Sequence, residues 1–211
     1  ETYFFEEVAA LADDYIAYTR TYLDLYESML TPSPYKRFAI VENILPTGYS
    51  MPTFTLLGRE VLRLPFIVKT SLPHEIVHQW FGNYVHIDPV EGNWAEGLAT
   101  YLSDYLLEER AGRGRNYRKQ LLANYGAYVN TSNAMPVSQF QYRRSKAEGA
   151  VGYGRVAMIF HGLRRRFGDD AFFGALKDFI QTNRLQPAAW HDIRESFEKA
   201  TNEDLEAYFD A

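Results

Sequence analysis

The sequence predicts an α+β chain, mostly α-helical, with a small N-terminal β edge. Three observations lead there. Apolar residues recur at spacings of three and four over most of the chain, the period of one buried helix face. Only residues 37–45 and 51–57 are β-leaning, and Pro46-Thr47-Gly48 between them is a turn signal. The 211 residues, 46% of them hydrophobic, suffice for a substantial core, as one domain over 1–211 or as two packed lobes, about 1–110 and 111–211.

In chain order, residues 6–30 read as a long helix whose stripe is Val8, Leu11, Tyr15, Tyr18, Tyr22 and Leu25, ended by Pro32 and Pro34. The two β-leaning stretches follow. A helix then starts near Thr70 or Ser71, because Pro73 is tolerated in a first turn, whereas in a helix interior it would cost about 3 kcal/mol. Further helices are expected at 94–110, 116–129, 148–167, 170–182, 191–199 and 203–210, with Gly168 separating two of them and Asp169 and Asn202 as N-terminal caps. Residues 130–141 are polar and proline-containing, a loop.

Composition excludes several classes. A net charge of −5 argues against a nucleic-acid surface, which needs clustered positive charge. Without cysteine there are no disulfides, thiolate metal ligands or cysteine nucleophiles, though this leaves the compartment open. No run of 18 apolar residues is present to span a bilayer. The Arg164-Arg165-Arg166 run near a helix end complements the helix dipole and reads as solvated.

The chemistry concentrates in His74-Glu75-Ile76-Val77-His78. Histidines four apart on a helix aim at one point, and Glu96, 18 positions after His78 and near the start of its own helix, adds a carboxylate. Two imidazoles and one carboxylate suit a single tetrahedral Zn2+ ion and leave a fourth position for water. Glu75, beside a ligand but aimed at the open position, is the expected general base rather than a ligand. His86 is a competing third donor with a poorer context than Glu96; His161 and His191 lack partners at ligand spacing.

The run from His74 to Asn83, together with Glu96-Gly97-Leu98-Ala99-Thr100-Tyr101, resembles the signature helices of the membrane alanyl aminopeptidase and leukotriene hydrolase family, zinc metallopeptidases with a thermolysin-like catalytic domain. Residues 35–41 and 202–210 resemble that family more loosely. The resemblance implies a peptide substrate and zinc-dependent hydrolysis. It also implies that Tyr153, in Tyr153-Gly154-Arg155, donates a hydrogen bond to the developing oxyanion, with packing as its alternative role. A β-rich domain precedes the catalytic one in that family, and a chain starting at Glu1 without methionine reads as a piece lacking it.

Three departures stand out. The interval Gln79 to Ala95 holds 17 residues where the family has one more, and Ala95 replaces a common asparagine. Family aminopeptidases hold the substrate's free amine with a strand glutamate. The corresponding stretch here is Gly48-Tyr49-Ser50-Met51, with Met51 at the acid's place and Glu42 the nearest upstream acid. A thioether does not pair with an ammonium group, so altered amino-terminus recognition is expected, with Gly48 to Met51 still offering an edge for an extended peptide. The competing readings are a catalytically silent protein-binding scaffold and another zinc hydrolase, such as an epoxide hydrolase.

Overall fold

The computed structural model describes residues 1–210. They form two compact units, Glu1–Tyr84 and a second beginning at Val85. The division falls after Tyr84, where the sequence places it near residue 110. The reason is packing: the helix that the sequence assigns to 94–110 buries Leu98, Ala99 and Leu102 among the later helices.

In the first unit, residues Glu6–Leu11 form a 3-10 turn that leads into α1, Ala12–Met29. Tyr15, Thr19, Tyr22 and Tyr26 are its buried stripe. Four short strands make one sheet: β1 (Thr2–Tyr3), β2 (Ala39–Asn43), β3 (Gly48–Met51) and β4 (Phe54–Gly58), in the order β1-β2-β4-β3. β3 runs antiparallel to β4 at the edge, while the other pairings are parallel. The expected single strand at 51–57 is therefore a hairpin. Its turn is Pro52-Thr53, with Thr53 at φ 77, following the type II pattern of proline then positive φ. A β-branched residue pays strain there, and the Gln79 side chain, accepting from the Thr53 N–H at 2.9 Å, holds the turn. After the short helix α2 (Arg59–Leu62) comes α3, Ser71–Val77, which packs on α1 and buries Leu72, Ile76 and Val77.

The second unit is helical apart from one parallel two-stranded pair, β5 (His86–Ile87) with β6 (Pro187–Ala188). Helix α4 (Ala95–Thr100) continues through a π-helical turn, Tyr101–Tyr105, into α5, Leu106–Arg110. Next come α6 (Gly114–Tyr128) and α7 (Lys146–Gly149), which runs through a second π-helical turn, Ala150–Arg155, into α8, Val156–Thr182. Gly168, at φ 80, breaks α8 at the expected place. The unit closes with α9 (Trp190–Thr201) and α10 (Glu206–Phe209). Two expected caps differ. Asn202 ends α9 in the left-handed region (φ 53) instead of starting the next helix, a role asparagine tolerates. Asp169 pairs with Arg164 at 2.8 Å, and the last helix is shorter than 203–210. Trp94, Phe160, Phe172, Leu176, Phe179 and Phe197 form the core. No described helix is long and apolar enough to cross a membrane.

Candidate metal centre

Helix α3 begins at Ser71, so Pro73 falls in its first turn, where a missing N–H costs nothing. His74 and His78 follow one turn apart with ring centroids 4.9 Å from each other. The helix stops at Val77, so His78 is its cap rather than an interior residue as the sequence predicts. Another bond orients its ring: Nδ1 lies 2.9 Å from the Phe81 carbonyl. A carbonyl only accepts, so Nδ1 carries the proton and Nε2 keeps a lone pair for a cation.

Glu96 is the second residue of α4. Just ahead of the helix, the Asn93 side-chain oxygen accepts from the N–H groups of Ala95 (3.1 Å) and Glu96 (3.3 Å), a capping role the sequence reading overlooked. Thr100 donates to the Glu96 carbonyl at 2.8 Å, fixing the next turn. One donor atom from each of His74, His78 and Glu96 lies within 4.8 Å of the others, and among the described residues His86 is outside this group. Two imidazoles and a carboxylate are a donor set zinc accepts at about 2.0–2.2 Å, with a fourth position open. These residues fit the ion.

Glu75 is buried. A Cβ at Gly48 would stand 2.6 Å from its Oε1, so a larger residue there would push the carboxylate out of its present position. A polar lock holds strand and helix together. Ser50 donates to the Glu75 carbonyl (2.9 Å) and accepts from the side chains of Gln79 (2.9 Å) and Asn83 (3.0 Å), which fills its hydrogen-bonding capacity. Gln79 also donates to the Met51 carbonyl at 3.0 Å. Neither Gln79 nor Asn83 was singled out from sequence, although both follow Glu75 at intervals of four. Along β3 the side chains alternate. Tyr49 and Met51, 54% and 44% exposed, stand on the face opposite Ser50.

Glu42 is not spare. Its carboxylate accepts from the Phe5 N–H at 2.6 Å and forms an ion pair with Arg59. Burial alone would raise its pKa, but the Phe5 N–H and the Arg59 guanidinium outweigh that and hold it below the ordinary carboxylate value. In the second unit, half-buried Tyr153 sits in the π-helical turn with its ring edge-on to Phe140, centroids 5.9 Å apart, and lines a cavity. His161 is a hydrogen-bonding partner of Tyr101, and His191 lies 3.4 Å from Asp192.

The chain is similar to known proteins in sequence and in fold. Human aminopeptidase N is 26% identical over 146 residues, 64% of this chain and 15% of that protein. The alanine/arginine aminopeptidase of Saccharomyces cerevisiae is 21% identical over 145 residues, covering 65% and 17% of the two chains. The chain thus spans about a sixth of the length of these curated relatives. Among solved structures, an M1 zinc metallopeptidase from Deinococcus radiodurans superposes with a TM-score of 0.67 at 23% identity, covering 87% of this chain and 40% of that one. A yeast LTA4 hydrolase gives 0.68 at 14% identity, covering 91% and 33%. These two show a shared fold. The peptidase family M1 domain matches residues 67–211, more than half of the sequence, and the chain belongs to that family.

Proposed function

We propose that this chain is the catalytic part of a zinc peptidase that hydrolyses peptide bonds and does not depend on a strand carboxylate to recognise the substrate's amino terminus. The observation that carries the reading is the convergence of three donors of zinc-binding type next to a buried glutamate that lies against an edge strand. His74, His78 and Glu96 would hold the ion. Bound zinc supplies Lewis acidity, bringing the pKa of water down to about 7 and polarising a carbonyl oxygen.

The chain's own residues do the rest. An extended peptide adds to the free edge of β3, where Gly48 to Met51 offer backbone hydrogen bonds that are indifferent to side chains. Glu75 takes the proton of the attacking water as oxygen bonds to the scissile carbon. It then delivers that proton to the leaving nitrogen as the C–N bond breaks, giving one acid and one amine. Tyr153 donates from its phenol to the carbonyl oxygen as charge develops there. Recognition of the free amine by Glu42 is disfavoured, because that carboxylate is committed to Phe5 and Arg59.

The test is Glu75→Gln assayed on peptides with free and acetylated amino termini. We expect normal zinc content with turnover lowered by about 10²–10⁴. In the unaltered protein, acetylated peptides should be cleaved within about tenfold of free ones, roughly the energy of a single weak contact. Equal turnover by Glu75→Gln would remove the assigned base. A thousandfold preference for free amines would overturn the altered recognition.

A further inference from the structure

A cavity of about 350 Å³ opens beside Tyr153, wholly within the second unit. On one side Thr100 and Asp104 follow Glu96 at intervals of four. On another, Lys146, Gly149 and Tyr153 recur at three and four along α7 and its π-helical continuation. Tyr117 and Tyr128, from opposite ends of α6, complete the walls.

Charge divides this cavity into two ends. Asp104 lies near Tyr117, whose phenol is pushed up first by burial and then by Asp104 and Glu108. Lys146 lies over the Tyr128 ring, 5.0 Å from its centroid. Tyr117 and Tyr128 are eleven residues apart on one helix, a rise of about 16 Å, so acid and base stand far from each other. Arg143 joins Lys146 at the basic end, its side chain lying across Gly149, where a Cβ would come 3.1 Å from Nε. Neighbouring Arg144 is neutralised by Glu148 at 2.7 Å, whereas Arg143 and Lys146 form no ion pair among the described residues.

We propose that this cavity is a carboxylate subsite, in which Arg143 and Lys146 receive the anionic end of a peptide whose scissile carbonyl faces Tyr153. The inference rests on the peptidase reading. Lys146 precedes Tyr153 by seven residues, a rise of about 10 Å along the helix, equal to about three residues of extended peptide. The carboxylate is therefore that of an acidic side chain or a chain terminus two or three residues beyond the cleaved bond.

The experiment compares tripeptides ending in a free acid with their carboxamides, and amidated peptides carrying Glu or Gln at the third position. Each is assayed on the zinc-loaded protein and on Arg143→Met/Lys146→Met, with binding measured separately by calorimetry on Glu75→Gln. The subsite predicts an advantage of about tenfold for at least one carboxylate source, in kcat/KM and in binding, that falls toward one in the double variant and in high salt. A preference for free acids over amides identifies the terminus, and a preference for Glu over Gln identifies a side chain. Turnover or binding with no preference for either carboxylate, or a preference that survives the double variant, overturns the subsite alone. Carboxylate-selective binding to a protein that cleaves no peptide would instead leave the subsite standing and remove the peptidase reading.

Discussion

His161 sits in a half-buried cluster with Tyr101 and Tyr105 against its ring and Arg118, Glu109, Arg164 and Arg165 as the charges around it. Burial depresses its pKa below 6.5, Arg118 adds to that, Glu109 opposes it, and the remaining arginines lower it further. The sign follows from linkage. With a depressed folded pKa, the unfolded chain binds more protons in the window between that value and 6.5, so stability falls as pH drops through the window and is fully present above it. Melting temperature measured against pH should show this step in the unaltered protein and not in His161→Gln. A step of the same size in both would place the titrating group elsewhere. At this scale the sequence marks the candidate site side chains and misses those that orient them. Spacing alone marks His74, Glu75, His78 and Glu96. The Ser50, Gln79 and Asn83 lock joins residues about 30 positions apart, which no local pattern reports.

Among the elements, the crossing of α4 with the π-helical turn at Ala150–Arg155 sets the local geometry around Glu96 and Tyr153. A Cβ on Gly97 would lie 2.2 Å from the Val156 Cβ and 2.7 Å from the Gly152 carbonyl oxygen. Alanine gains about 1 kcal/mol over glycine in helix propensity, but no rotamer moves a Cβ or a backbone oxygen, so the overpacking cost of about 1–3 kcal/mol prevails. Gly97→Ala should lower the melting temperature by several degrees, taking about 2–4 °C per kcal/mol, and weaken zinc retention. Gly174→Ala is the control. Nothing stands within 4 Å of its Cβ in α8, so it should be neutral or stabilising. An unchanged melting temperature in Gly97→Ala would refute the close crossing. Helices were well marked in the sequence, because buried faces repeat regularly. The β3–β4 hairpin was hidden, since its positive φ falls on threonine rather than glycine. The π-helical turns were hidden too, because one extra residue per turn barely disturbs an apolar stripe.

For the whole molecule, fold and family follow from the signature helices, the helical content and the match over residues 67–211. The activity proposed for a chain that spans about a sixth of its curated relatives depends on whether three side chains close around one ion. The most direct measurement is zinc content per folded chain by mass spectrometry, before and after dialysis against a weak chelator, for the unaltered protein, His74→Ala and Glu96→Ala. One zinc per chain is expected in the unaltered protein, with its loss from both variants while the fold persists by circular dichroism. A folded, unaltered chain that takes up no zinc, or a Glu96→Ala chain that retains it as firmly, would rule out a metal centre built from His74, His78 and Glu96.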